Sequence, residues 1–405
     1  MPAILVVATQ HKSQNDQMKV LHVISTLSDN YGGPVFVLKA LSRLQAQSGL
    51  DVTICTTNTD YPTGVISEQT NELTRVHGVN VIYHAALGPL LHSFSMWRWL
   101  NKQIPSFDIV HIHGLYRHPV SVAARLARKH GVPYIIRTQG SLDPFIYAQS
   151  KKSLWLKRLH ERCFDFPNLN KASALHFTTE EEQTLVSRLN FKSPGVVIPN
   201  GLDWGVYETL PDRGAFRRFL GIGETDPLIL FLGRLNFKKG LDHLIPAFAL
   251  VKEKLPKARL ALVGPDNDGF ARQIESWCAD YGVEDSVTFV DFLQQDAKKE
   301  AFVDADVFAP TSYAENFGVT VAESMACGTP VVISDRVNLW REVSSAGAGL
   351  VPALEKIAIG EALLKIIQDN EFAKEMGKRG RLLAQQKFAW QVILSDLEAT
   401  YRRLI

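Results

Sequence analysis

Short apolar, β-branched runs recur along this chain, each followed by a loop and then by a helical pattern. In a first series they fall at 20–25, 52–56, 79–83, 109–113, 134–137, 174–178 and 196–199. A more polar stretch, 202–226, comes next, and a second series follows at 228–232, 260–263, 287–290, 307–309 and 331–334. Strands that are apolar throughout and alternate with helices belong to parallel sheets covered on both faces. Two such series joined by a linker predict an α/β chain of two Rossmann-like, doubly wound domains. At 405 residues the chain is also too long for one hydrophobic core.

Composition narrows the partners. With 46% hydrophobic and 21% charged residues the chain reads as soluble and globular, which excludes disorder and low-complexity repeats. Basic and acidic residues number 44 and 42, a formal charge of +2, so no whole-chain argument for nucleic acid exists and none is expected as a partner. Cys55, Cys163, Cys278 and Cys327 are far apart and form no CxxC pair, which fits a reducing, cytoplasmic setting better than a zinc site or a disulfide framework. No apolar run approaches the roughly 18 residues that cross a bilayer. The run 3–8 lacks a basic flank, and Met18, directly before Lys19-Val20-Leu21, reads as a second start, so residues 1–17 are expected to be a dispensable extension.

Helix punctuation supports the alternation. Gly32-Gly33-Pro34 opens a helix whose Val37, Leu38, Leu41 and Leu44 share a stripe, and Gly49 closes it. A helix after Gly318 ends at Gly328-Thr329-Pro330. The last stretch, 388–405, places Trp390, Val392, Ile393, Leu397, Tyr401 and Leu404 at helical spacing.

Open parallel sheets bind ligands beyond the carboxyl ends of their strands, and the unusual residues of this chain fall there. His111-Ile112-His113-Gly114 and Arg137-Thr138-Gln139-Gly140-Ser141 end two runs of the first series. Gly233-Arg234, with Lys238-Lys239-Gly240 just beyond, and 309–318 end two of the second. Two such crescents predict a ligand cleft between domains. Arg234 and Lys239 lie where a strand gives way to a helix N-terminus, and a guanidinium fork with an ammonium suits a diphosphate; two solvated cations are the plain alternative. Gly32-Gly33 lets backbone approach a phosphate, but it is neither G-x-G-x-x-G nor a P-loop, which disfavours dinucleotide redox chemistry. Glu315 and Glu323, eight residues apart around Asn316-Phe317-Gly318, can accept paired hydroxyls of a sugar or ribose. Asp304-Ala305-Asp306 reads as a helix end and strand start and not as a metal motif. His111 and His113 share a strand face with no third ligand in view, so no metal is expected. A basic stretch, Lys151, Lys152, Lys157, Arg158, His160 and Arg162, is interleaved with Leu154, Trp155, Leu156 and Phe164. It fits either docking on an anionic lipid surface or a solvated helix packed on one side.

These motifs together resemble glycosyltransferase family 4, the retaining GT-B-fold enzymes that use sugar nucleotides. The resemblance runs from Met18 onward. It is most specific in Gly233-Arg234…Lys239-Gly240, in Glu315-x7-Glu323 and in Ala326-Cys327-Gly328-Thr329-Pro330-Val331-Val332. Val197-Ile198-Pro199-Asn200-Gly201-Leu202-Asp203 looks like the family's domain junction. The resemblance implies an N-terminal acceptor domain over 18–203, a donor domain over 204–387, and a C-terminal helix, 388–405, that returns to the first domain. It implies that Arg234 and Lys239 neutralise the leaving diphosphate and that Glu323 binds the ribose. Glu315 and the backbone of Asn316, Phe317 and Gly318 would hold the transferred sugar, and Gly32 and Gly33 would approach the phosphates. Similar enzymes usually carry His where this chain has Gln139. Gln cannot take a proton, so either that base is dispensable, as in a front-face retaining mechanism, or activity is reduced. His113 is a further candidate to line the cleft, or a satisfied strand-end histidine.

The implied activity moves a sugar from a nucleoside-diphosphate sugar, with no other cofactor, to a glycan or lipid-linked acceptor. The expected setting is cell-surface polysaccharide or lipopolysaccharide assembly in the cytoplasm, with peripheral contact at the inner membrane face. The alternatives are a GT-B sugar-nucleotide epimerase and a non-catalytic sugar-nucleotide-binding protein.

Overall fold

The computed structural model describes residues 17–60, 64–149, 154–267 and 269–405. The proposed extension therefore lies outside the described residues except for its last position, as do Lys151 and Lys152 of the basic stretch. The first series of runs forms β1 (Lys19–Thr26), β2 (Asp51–Thr57), β3 (Leu73–Val76), β4 (Val79–His84), β5 (Ile109–His113), β6 (Tyr134–Arg137), β7 (Ala174–Phe177) and β8 (Gly195–Val197). Their order in the sheet is β3-β4-β2-β1-β5-β6-β7-β8. The second series forms β9 (Leu228–Leu232), β10 (Arg259–Val263), β11 (Val287–Val290), β12 (Val307–Phe308), β13 (Val331–Val332) and β14 (Gly349–Leu350), ordered β11-β10-β9-β12-β13-β14. These are the two parallel-sheet domains the alternation predicts. By Cα packing the chain divides into two compact units, residues 1–136 with 171–173 and 404–405, and residues 137–170 with 174–403.

Burial explains why the strands read so plainly. β1 is buried at every position after Lys19, and β9 at its first four, as strands covered on both faces must be. The two faces of β9 feed separate cores. Leu228 and Leu230 pack with Phe302, Phe308 and Met325, whereas Ile229 and Phe231 pack with Leu244, Phe248 and Ile274. Two strands escaped the sequence reading for opposite reasons. β3 has no buried residue and runs antiparallel to β4, so nothing forces it to be apolar. β14 is two residues long and begins with a glycine.

The helices start and stop close to their signals. Gly33–Gln47 has Gly32 as its N-cap at φ +89° and buries Val35, Val37, Leu38 and Leu41. Val319–Ala326 starts from Gly318 at φ +76°. At the C-terminus the helix expected over 388–405 is Trp390–Leu404, and a separate helix, Asn370–Phe388, precedes it. Ala389 between them is extended, because backbone bonds run from Leu202 N to Phe388 O (2.6 Å) and from Trp390 N to Leu202 O (3.1 Å). Gly201, beside that clasp, lies so close to the Trp390 ring that a Cβ would meet it at 2.2 Å. Among the described residues no helix is long and apolar enough to cross a membrane.

His84, at the end of β4, is 1% exposed, and burial lowers its pKa to about 4. Unfolded, it charges near 6.5, so between those values the unfolded chain holds the extra proton. Stability should therefore fall as pH drops from about 6.5 to about 4, by at most about 1.4 kcal/mol per unit for this one group. Melting temperatures across that range should show a shallower acid slope for His84→Gln. An unchanged slope would assign the acid sensitivity elsewhere.

Candidate active site

In the second sheet β9 is flanked by β10 on one side and β12 on the other, so the chain leaves it at a switch in strand order, where a crevice opens beyond the strand ends. Gly233 and Arg234 follow β9 at that point. Gly264, after β10, sits against Gly233, where a Cβ would come within 2.1 Å of the Gly233 carbonyl oxygen. Past a single 3-10 turn, Phe237–Lys239, Gly240 at φ +64° is the N-cap of helix Leu241–Lys254. A side chain is excluded there, since a Cβ would lie 2.0 Å from Thr311 O.

That contact joins two loops. Thr311 Oγ1 donates to Gly240 O (3.0 Å), and Tyr313 N donates to Lys238 O (2.8 Å). The Tyr313 hydroxyl donates to Asp242 at 2.6 Å and lies 2.9 Å from His243 Nε2. Glu315 is pinned by its backbone, its N donating to Arg336 O and its O accepting from Asn338 N, both at 3.0 Å. Its Oε1 is ion-paired with Lys239 Nζ. Arg234 is exposed and has neither an ion pair nor a side-chain hydrogen bond among the described residues. One expected cation thus stands on a carboxylate and the other is open to a ligand.

Glu323 is not a surface residue of its helix. It is 8% exposed, and its Oε1 accepts from Lys298 Nζ (2.5 Å) and from the Tyr207 hydroxyl (3.3 Å), leaving Oε2 without a protein partner among the described residues. Burial, then the Glu323 charge, pushes the Tyr207 phenol far up, so it stays a donor. Phe317 is 2% exposed and stacks edge-on against Phe388 with centroids 5.4 Å apart, so only its backbone can face a ligand. Asn316 Nδ2 donates to Thr178 Oγ1 (3.1 Å).

The loop after β6 closes on the same place. Gln139 has φ +51°, and Gly140 at φ +71° approaches Asn316 so closely that a Cβ would meet its Cβ at 2.9 Å. A buried carboxylate holds this arrangement. Glu182 Oε1 accepts from Thr138 Oγ1 and Gly140 N, both at 2.7 Å, and Oε2 accepts from Thr178 N (2.7 Å) and Oγ1 (2.9 Å). Phe145 stacks on Tyr313 with centroids 5.7 Å apart and planes 3° from parallel. All these residues belong to the second unit.

In the first unit, Gly32 and Gly33 open their helix with no side-chain cap, and a Cβ at either would meet nothing within 4 Å. Their backbone is therefore open to a ligand. The expectation that His111 and His113 lack a third neighbour is corrected: His22 of β1, in register with His111, completes a buried trio in which one ring nitrogen from each lies within 4.8 Å of the others. His22 Nδ1 lies 3.0 Å from His113 Nε2 and its Nε2 lies 2.7 Å from Gln45 Oε1. His113 is thus a buried strand-end histidine, 2% exposed, with its Nε2 on His22. The two aspartates of 304–306 serve the fold. Asp304 accepts from Gly214 N (2.5 Å) and Arg217 N (2.9 Å), and Asp306 pairs with Arg213 and with Arg217 (2.9 Å).

Comparison with known proteins identifies the family and the fold. Residues 212–383 match the family model "Glycosyl transferases group 1", and residues 32–201 match "Glycosyl transferase 4-like domain". The chain belongs to the family 4-type glycosyltransferases. It is 29% identical over 408 aligned residues to a D-inositol 3-phosphate glycosyltransferase of Stackebrandtia nassauensis, covering 92% of this chain and 87% of that protein. It is 25% identical to the GDP-mannose:cellobiosyl-diphosphopolyprenol alpha-mannosyltransferase of Xanthomonas oryzae, covering 88% and 89%. The structure of Anabaena HepE in complex with UDP-glucose superposes with a TM-score of 0.74 at 19% identity, over 96% of this chain and all of that one, which shows the shared GT-B fold.

Sequence reasoning about this glycosyltransferase missed Glu182, Lys298 and Tyr207. Glu182 carried a faint signal, since Thr179-Glu180-Glu181-Glu182 spells a capping box and Thr179 does accept from Glu182 N (3.0 Å). Its service to the loop after β6 was invisible. Glu182→Ala should strand four donors and cost about 2–5 kcal/mol. Thermal melts should show a marked loss that Glu182→Gln restores only in part; an unchanged melting temperature would mean the loop is held otherwise.

Proposed function

We propose that this glycosyltransferase moves a hexosyl group from a nucleoside-diphosphate sugar to a glycan or lipid-linked acceptor, with retention of anomeric configuration. The observation that carries the reading is the convergence of Arg234, unpaired among the described residues, a Lys239 already beside Glu315, and two helices capped by Gly240 and Gly318 with no side-chain acceptor. Free helix N–H groups and two cations suit a diphosphate whose charge grows as the anomeric bond breaks. An ammonium has three donors, so Lys239 can hold Glu315 and a phosphate oxygen together. Glu315 and the loop 316–318 would take the sugar hydroxyls, and the open Oε2 of Glu323 the ribose. No metal and no other cofactor enters the proposal.

Retention is supported by what the carboxylates and Gln139 can do. Both oxygens of Glu182 are engaged by four donors, so it is not a nucleophile, and Gln139 cannot accept a proton. In the proposed step the anomeric C–O bond to the diphosphate breaks as the acceptor oxygen bonds to the same face. The acceptor proton passes to the departing phosphate oxygen. The N-terminal half, up to about Asp203, would present the acceptor, and the C-terminal helix would return to it. The names of the relative and the neighbour, with GDP-mannose, a cellobiosyl-diphosphopolyprenol and UDP-glucose, support a sugar-nucleotide donor and a lipid-linked acceptor.

Replacing Arg234 or Lys239 by Ala should weaken calorimetric binding of the nucleoside diphosphate about tenfold or more, as loss of a charged hydrogen bond does. Unchanged affinity would contradict the clamp. Glu315→Ala should abolish transfer while the nucleotide still binds. The anomeric proton coupling of the product should match that of the donor, and an inverted pattern would overturn retention.

A further inference from the structure

A cavity of about 720 Å³ in the second unit lies apart from the residues assigned to the donor. Leu142 and Pro144, on the loop after β6, form one wall, and Arg158, Arg162 and Arg188 supply charge. The lining carboxylate, Glu161, is 2% exposed and accepts from the Tyr147 hydroxyl at 2.8 Å. Three guanidinium groups around one carboxylate leave an excess of positive charge. Arg188 spends one bond on Leu142 O (3.1 Å), and Arg162 makes no hydrogen bond or ion pair among the described residues. Such forks bind phosphate oxygens in pairs.

The same short stretch of chain is apolar on its surface. Trp155, Leu156, Leu159 and Phe164 are exposed by about half or more, on Leu154–His160 and Glu161–Asp165, the segments that carry Arg158 and Arg162. Exposed aromatic and aliphatic side chains next to this group of guanidinium cations match an amphiphile with an anionic head. The cavity wall is also part of the active-site loop. Two residues before Leu142 is Gly140, packed on Asn316, and directly after Pro144 is Phe145, stacked on Tyr313.

We propose that this cavity is a binding site for the diphosphate of a lipid-linked acceptor, its hydrocarbon lying along Trp155, Leu156, Leu159 and Phe164. That the ligand is the acceptor rests on the glycosyl-transfer reading; that the site takes a lipid diphosphate does not.

The test titrates geranyl diphosphate, inorganic pyrophosphate, UDP and GDP separately into the full-length protein by calorimetry. The proteins are the wild type, Arg162→Ala, Arg162→Ala with Arg188→Ala, and Arg234→Ala with Lys239→Ala. The double arginine variant should bind geranyl diphosphate at least about tenfold more weakly. The Arg234/Lys239 variant should bind it within about twofold of wild type, and the losses should reverse for UDP or GDP. Arg162→Ala, which removes an exposed side chain with no partner among the described residues, should show part of the loss even if the double variant folds poorly. Geranyl diphosphate binding that depends on Arg234 and Lys239 alone would overturn the proposal. Pyrophosphate binding as tightly as geranyl diphosphate, with the same arginine dependence, would overturn its lipid part. If neither UDP nor GDP binds the wild type, the donor reading fails while the geranyl diphosphate titrations still decide the cavity.

Discussion

A strand that runs parallel to its neighbour cannot be reached by a tight hairpin, so the chain must leave its far end, cross back through a helix and begin again. Every loop that follows a strand then emerges on one edge of the sheet. In this protein the rest depends on that constraint. Residues 75 positions or more apart in sequence, such as Lys239 and Glu315, become partners because β9 and β12 are adjacent and point the same way. The order β11-β10-β9-β12 adds the second condition, since a crevice opens only where neighbours depart in opposite directions.

Close backbone contact then sharpens the site. Gly240 against Thr311 O and Gly264 against Gly233 O leave no room for a Cβ, so the loops after β9, β10 and β12 press on one another by main chain, and Gly140 of the loop after β6 meets the Asn316 side chain. Long polar side chains can be placed accurately on such a base, because they need only one or two bonds each. Glu182 is the counterpart from below: a buried carboxylate whose two oxygens take four donors holds Thr138, Gly140 and Thr178 together. Its full occupation makes it a positioning group and removes it from the chemistry.

What was legible in the sequence was whatever both-sided burial or helix geometry imposes locally. β1, β5, β9 and β10 announce themselves through unbroken apolar runs, and Gly32, Gly240 and Gly318 stand where helices begin at positive φ or from bare backbone. β3 did not, because an exposed strand has no composition to obey. The last helix was placed to within two residues of its start, but not the cause of the break before it, a pair of bonds to Leu202, nearly two hundred residues away. Among the site residues, Arg234, Lys239, Glu315 and Glu323 could be singled out by place and spacing, but not their present partners.

The sequence by itself determined the two doubly wound sheets, the strand ends at which the charged residues stand, and membership of a glycosyltransferase family, since period, turn residues and short motifs are local properties. Only the tertiary structure decided that Lys239 rests on Glu315 while Arg234 stands exposed. It alone made Glu323 a buried group held by Lys298 and Tyr207, and joined His22 to His111 and His113. The reason is physical. Partner choice between distant side chains is set by strand order and register, and neither is written in any single stretch of the chain.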